Sequence, residues 1–315
     1  MSLHNSISAA TETVDTLRTK RVLLVLSRGA GGNTLTGLAD QISGYLTEHS
    51  ASVETLAFRR AETPVTDLNI PDRVVGEGYD VIVVAGGDGT IRAIAQDLWH
   101  RGVRTPIGIV PTGSANMLAR SLHIPLSIPK SLDVLRRGSN KVVAAGLLNE
   151  QHLFFIGACF GHLARVTLDA EQMAKSHIGW PAYALAAVRR MWYTARRDVR
   201  LTIERESAEE LHVRAHSVLA LLEPSARTLV PPVQMDTWPI TVCWGTSLSF
   251  LGAAGVALSW LVFRRPNRCV CVRGAERVIV DNFAADEMYL DGDRFEEVGP
   301  PYDIRPVKEG IPVWV

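Results

Sequence analysis

Residues 81–90 read Val-Ile-Val-Val-Ala-Gly-Gly-Asp-Gly-Thr. The five apolar residues Val81–Ala85 form a run with no polar face, as expected of a strand buried on both sides. Three glycines interrupted by one aspartate follow. From Thr90 to Trp99, Ile91, Ile94 and Leu98 then recur at helical spacing. The stretch is therefore a strand, a tight turn and a helix. Upstream, Arg21–Leu26 is a second buried strand. It is followed by the glycine-rich turn Gly29-Ala30-Gly31-Gly32 and by Leu35, Leu38, Ile42 and Leu46 at helical spacing. Ser52–Phe58 alternates like a strand, and Asp67–Gly78 reads as helical or irregular, broken by Pro71. Downstream, Ile107–Val110 is another strand, stopped at Pro111. Strand–helix alternation at this spacing predicts an α/β domain with a mostly parallel sheet covered on both faces.

Past Lys141 the character changes. Lys141–Leu148 and His152–Phe160 read as strands flanking the turn Asn149-Glu150-Gln151. One long helix is expected between Glu171 and Arg197, with Pro181 opening its second part. Strands are then expected at Val199–Glu204, Val213–Leu222, Ile240–Cys243, Val270–Val272, Val278–Val280 and Glu287–Leu290. The boundaries that follow are a flexible leader at 1–19, an α/β domain at 20–142, a strand-rich domain at 143–303 and a closing strand at 304–315.

The 315 residues contain 33 Lys plus Arg and 33 Asp plus Glu, so net charge offers no pull toward nucleic acid. At 47% hydrophobic and 21% charged, the chain can build a sizeable core. The first twenty residues lack an apolar segment of signal-peptide length, which predicts a cytoplasmic protein. Cys159, Cys243, Cys269 and Cys271 form no CxxC pair and read as buried thiols in a reducing compartment, with neither disulfide nor metal.

The chemistry concentrates in two turns. Gly86, Gly87, Asp88, Gly89 and Thr90 stand between a strand and a helix, where glycines admit a ligand close to the backbone and a helix N-terminus favours anions. Thr90 can cap the helix or bind phosphate. A carboxylate in a phosphate cradle needs a metal ion or a proton to accept, so Asp88 points to phosphoryl transfer with Mg²⁺. One βα unit later, Pro111-Thr112-Gly113-Ser114-Ala115-Asn116 repeats the arrangement. Both turns end strands at the sheet edge where open α/β sheets bind ligands. Ser114 and Asn116 carry groups suited to phosphate or ribose. Arg120, one turn further, reads as a solvated charge.

The Gly86–Thr90 motif, followed by Ile109–Arg120 (IVPTGSANMLAR), resembles the diacylglycerol kinase catalytic family, which includes sphingosine, ceramide and bacterial lipid kinases. More weakly the resemblance extends from Arg21 to the end of the chain. His177–Leu185 is similar to a family helix, Leu290-Asp291-Gly292-Asp293 to its late Asp-Gly-Glu, and Ile304–Val315 to its closing strand. The resemblance implies a Rossmann-like three-layer nucleotide domain and a C-terminal β-sandwich, with a lipid entering between them. It implies ATP and Mg²⁺ as cofactors. Gly86–Thr90, Gly31, Thr112, Gly113, Ser114 and Asn116 would bind the nucleotide, Asp88 would be catalytic, and Asp293 would be the general base. Asp291-Gly292-Asp293 also reads as a type I′ hairpin turn, and the two readings are compatible.

The chain departs from the family at four places. Ser27-Arg28-Gly29-Ala30-Gly31 stands where the family has Asn-Pro-x-Ser-Gly, and Leu163 stands where bacterial members carry Asp. Only Asp236 is available for the structural Mg²⁺, and the late motif ends in Asp293 rather than Glu. These departures leave open a nucleotide- or lipid-binding relative without strong kinase activity. NAD kinase shares the Gly86–Thr90 motif and is a third reading.

Trp244–Phe263 is uncharged and is followed by Arg264-Arg265. It reads as a buried or interfacial helix, a strand-plus-helix core, or a spanning helix. Arg264, Arg265 and Arg268, with Arg189, Arg190, Arg196 and Arg197 beside Trp192 and Tyr193, suit anionic headgroups at a membrane surface. The expected partner is a lipid at the inner membrane face, with no nucleic acid and with room for a homodimer.

Overall fold

The apolar runs become the inner strands of a six-stranded sheet. The computed structural model describes residues 15–27, 35–59, 62–161, 197–205, 208–215, 217–222, 239–245, 269–283 and 288–315. In the first part of the chain β1 (Arg21–Ser27), α1 (Leu35–His49), β2 (Ser52–Phe58), α2 (Ile70–Glu77), β3 (Val81–Gly86), α3 (Asp88–His100), β4 (Ile107–Pro111), α4 (Met117–Ser121) and α5 (Ile128–Arg136) follow one another. The strands lie in the order β2-β1-β3-β4, all parallel. Alternate residues of β1 and β3 feed two cores. Leu23, Val25, Ile82 and Val84 pack with α2 and α3, and Val22, Leu24, Val81 and Val83 pack with α1 and α5. This is the three-layer arrangement expected. Pro71 does not break its helix; it occupies the first turn of α2, where a missing N–H costs nothing.

The chain leaves the sheet at β5 (Asn140–Val143), which pairs antiparallel to the last strand. It then builds β6 (Gly146–Leu148), β7 (His152–Phe154), β8 (Gly157–Gly161), β9 (Arg197–Glu204), β10 (Ala208–Ala215), β11 (Ser217–Leu222), β12 (Ile240–Gly245), β13 (Cys269–Ala275), β14 (Arg277–Val280), β15 (Met288–Leu290), β16 (Asp293–Arg294) and β17 (Tyr302–Pro306). Two sheets result, β10-β9-β14-β17-β6-β7 and β13-β12-β11-β8-β15-β16. Leu201, Val278 and Tyr302 of the first share one apolar cluster with Phe160, Val218 and Val242 of the second, so the two form a sandwich.

Several runs expected as single strands are two. Lys141–Leu148 divides between β5 and β6, His152–Phe160 between β7 and β8, and Val213–Leu222 between β10 and β11, each pair lying in different sheets. Lys141–Leu148 and His152–Phe160 stay apolar straight through the corner, so the sequence shows no break where the partners change. The segment 304–315 likewise divides. β17 belongs to the sandwich, whereas β18 (Ile311–Trp314) enters the first sheet, parallel to β4 and antiparallel to β5.

The cysteine reading is corrected. Cys243 of β12 and Cys271 of β13 form a disulfide. The antiparallel register sets them directly opposite, with Cα atoms 4.1 Å apart. They lie 28 residues apart in sequence, so only strand pairing brings them together. Cys159 is free, and burial pushes its thiol up to about 12. Arg197 begins β9 rather than ending a helix, and Trp244 and Gly245 end β12. Most of the expected helix 171–197, the remainder of 244–263, Gly31, Leu163, Asp236 and the arginine cluster's side chains lie outside the described residues. Among the described residues, no helix is long and apolar enough to cross a membrane.

Candidate functional site

Strand order reverses direction at β1: the chain goes outward to β2 and returns inward to β3. The carboxyl ends of β1, β3 and β4 therefore surround a crevice. Leu26 and Ser27 of β1, Ala85 of β3, Thr112 and the face of α1 at Leu38, Ala39 and Ile42 line a cavity there.

The two glycine-bearing turns touch backbone to backbone. A Cβ placed on Gly113 would lie 2.5 Å from the Gly87 Cα, so this approach requires glycine. The Thr112 N–H donates to the Gly86 carbonyl at 3.2 Å. Gly87 is the N-cap of α3, so Asp88, Gly89 and Thr90 form its first turn. The Thr90 N–H donates to the Gly87 carbonyl at 3.0 Å, so the N–H groups of Asp88 and Gly89 are the helix-terminal donors that could receive an anion. Thr90 neither caps α3 nor faces solvent. Its buried side chain sits beneath Gly86, and its hydroxyl donates to Ser27 Oγ at 3.3 Å, joining β1 to α3.

Two candidate ligand groups have partners within the protein. The Asp88 carboxylate accepts the Met117 and Leu118 N–H groups, each at 2.9 Å, and so caps α4. Asn116 is left-handed at φ 48° and buried; its amide accepts from the Gly113 N–H at 3.0 Å and donates to the Gly113 carbonyl at 2.7 Å. It folds the 113–116 loop onto itself. Ser114 is exposed at the tip of this loop. Arg120, expected as a solvated charge, donates through Nε to the Ala115 carbonyl at 2.9 Å.

The acidic motif of the second domain arrives at the same place. β15 and β16 pair Leu290 with Asp293, leaving Asp291-Gly292 as a two-residue hairpin loop. Both loop residues have positive φ, 53° and 91°, as a type I′ turn requires. A Cβ on Gly292 would lie 3.6 Å from Met117 Sδ, so the hairpin rests on the residue whose N–H Asp88 holds. Asp293 is exposed and its carboxylate stands 4.0 Å from Arg92 of α3. Asp291 is buried. It accepts the N–H groups of Phe155 (2.8 Å), Ile156 (2.7 Å) and Gly157 (3.2 Å). Burial pushes its carboxyl up to about 6, opposed by these amides and by the charge of Arg92.

Arg92 and Gln96 were not singled out in the sequence. They lie one and two helical turns beyond Asp88 on the same face of α3, and that i, i+4 spacing was the available signal. Gln96 accepts the Leu153 N–H at 2.9 Å, a second tie between the domains. Among the described residues no group of three or more His, Cys, Asp or Glu could hold a metal. Asp88 uses one acceptor site on each oxygen for an amide, which leaves capacity for an ion carried by a nucleotide.

A family model for the diacylglycerol kinase catalytic domain matches residues 21–148. A diacylglycerol kinase of Staphylococcus aureus is 33% identical over 134 residues, 42% of this chain and 42% of its own. An uncharacterised protein of Synechocystis is 29% identical over 230 residues, covering 69% of this chain and 49% of that one. The matches span less than half the length of either curated relative. Among solved structures, a diacylglycerol kinase from Bacillus anthracis superposes with a TM-score of 0.67 at 20% identity, covering 93% of this chain and 96% of that one. At that identity the likeness establishes the fold.

Proposed function

We propose that this chain, which belongs to the diacylglycerol kinase catalytic family through residues 21–148, transfers the γ-phosphate of ATP to a hydroxyl of a diacylglycerol- or sphingoid-like lipid. The observation that carries the proposal is the meeting of the 291–293 hairpin with the phosphate turns, Gly292 against Met117 and Asp293 beside Arg92. A carboxylate from one domain thereby stands next to an anion-receiving helix terminus of the other.

In this reading the Asp88 and Gly89 N–H groups of the first turn of α3, with the Thr112 and Ser114 hydroxyls, hold the nucleotide phosphates, and Gly113, lacking a side chain, lets them approach. Mg²⁺ bound with the nucleotide would be held through Asp88 and would offset phosphate charge. Asp293 accepts the proton of the lipid hydroxyl as its oxygen attacks the γ-phosphorus. A new O–P bond forms, the bridging bond to the β-phosphate breaks, and ADP leaves. The lipid is met at a membrane surface.

The test is turnover of labelled ATP with Mg²⁺ and mixed micelles of diacylglycerol, monoacylglycerol, sphingosine, ceramide and phosphatidylglycerol. Labelled lipid is expected with at least one acceptor, and Asp293→Ala should lower the rate by roughly 10²–10⁴-fold. No labelled lipid with any acceptor, or phosphorylation of NAD in its place, would overturn the proposal.

A further inference from the structure

Arg92 is an unusual occupant of its site. Its side chain is only 12% exposed, and its Nε is buried without a hydrogen-bond partner. A guanidinium stays charged at any pH of interest, so such burial is tolerated only opposite compensating charge. That charge is on the acidic hairpin. Asp293 lies 4.0 Å away, the guanidinium charge also acts through space on Asp291, and the Phe295 ring beyond the hairpin is 5.8 Å from Arg92 Cζ. The other charged groups nearby are otherwise engaged: Arg294 pairs with Glu296, and His152 of β7 with Glu297. Burial also pushes the His152 imidazole down, toward its neutral form.

We infer that Arg92 is a positioning residue: fixed on α3, it holds the Asp291–Asp293 hairpin against the phosphate turns. The helix whose first turn faces the phosphates thus also places the carboxylate that faces the acceptor. The catalytic part of this inference rests on the proposed role of Asp293. Its structural part does not. The three N–H groups donated to Asp291 favour its carboxylate, which offers a lone pair to each, over the protonated carboxyl, whose hydrogen would need an acceptor of its own. Arg92 favours that ionised form, and so supports the amide cradle at Phe155, Ile156 and Gly157 on which the hairpin is seated.

The experiment uses the full chain with Arg92→Gln and Arg92→Lys. Hydrogen-exchange protection factors at residues 155–157 are followed from about pH 5 to about pH 8, alongside kcat and KM for ATP. In the wild type, protection should fall as pH rises from about 4 and level off above about 6, with its upper midpoint near 6, because the closed cradle holds the Asp291 proton more tightly than the opened chain does. The midpoint should rise by roughly one pH unit in Arg92→Gln and stay near wild type in Arg92→Lys, which keeps the charge. Arg92→Gln should also lose about 100-fold in kcat with KM for ATP unchanged, the signature of a displaced group rather than a lost binding contact. An unmoved midpoint in Arg92→Gln overturns the inference. Should that variant not fold, a flat wild-type profile at residues 155–157 overturns it equally. If the wild type phosphorylates no lipid, the proposed function fails, while the exchange profile still decides whether Arg92 holds the hairpin.

Discussion

At Asp88 the sequence suggested a carboxylate among phosphates, and the structure gives it two backbone amides of a neighbouring helix. Both can hold, since a residue that caps α4 also fixes the loop on which Ser114 stands. Asp88→Ala should therefore cost about 1–2 kcal/mol of stability, measured by urea unfolding, besides its effect on turnover. Asp291 carries the clearest pH signature. Its folded carboxyl binds a proton more tightly, at about 6, than its ordinary value of 3.8 allows in the unfolded chain. The folded state thus holds the extra proton between these values, and stability contributed by this group falls as pH rises through the window. The stability difference between wild type and Asp291→Asn, which cannot titrate there, should shrink by roughly 2–3 kcal/mol between about pH 4 and pH 7. Denaturant unfolding of both proteins at several pH values reads it directly, and a pH-independent difference would contradict the buried, ionised carboxylate.

Elements were legible to the extent that their signals are local. The strand over residues 81–85 and the helix after it follow from a fully apolar run and a helical repeat, and both are present. The failures share one cause. Where β5 gives way to β6, β7 to β8 and β10 to β11, the chain changes sheet with no turn signal in the sequence to mark it. Partner choice is not written in periodicity. The same holds for Cys243 and Cys271, which become a pair only through the register of β12 with β13. Cys243→Ser should lower stability by roughly 3–4 kcal/mol under oxidising conditions, as expected for a loop closed across 28 residues. After reduction of both proteins, the difference in unfolding midpoint should largely vanish.

For the whole molecule, the decisive connection is the return of the chain. β18 lies between β4 and β5, places Val313 and Trp314 in the two cores of the first sheet, and lets Trp314 Nε1 donate to the Leu135 carbonyl at 2.8 Å. A chain ending at Gly310 lacks an internal strand of that sheet. It should lose about 5 kcal/mol or more, most of the stability of an ordinary domain, and show no cooperative melting by circular dichroism.

Local chemistry in the sequence was enough to determine the α/β class, the two glycine-bearing strand-to-helix turns and the acidic hairpin turn. Glycines, apolar runs and helical repeats act on their immediate neighbours, and such effects survive without tertiary context. Tertiary structure alone decided that Gly113 lies on Gly87, that Asp88 and Asn116 bind backbone rather than project freely, and that Arg92 faces Asp291 and Asp293. The first of these need the β3 and β4 strands side by side in one sheet, and the last joins residues about two hundred positions apart, so it forms only when burial of separate apolar faces brings the two domains together.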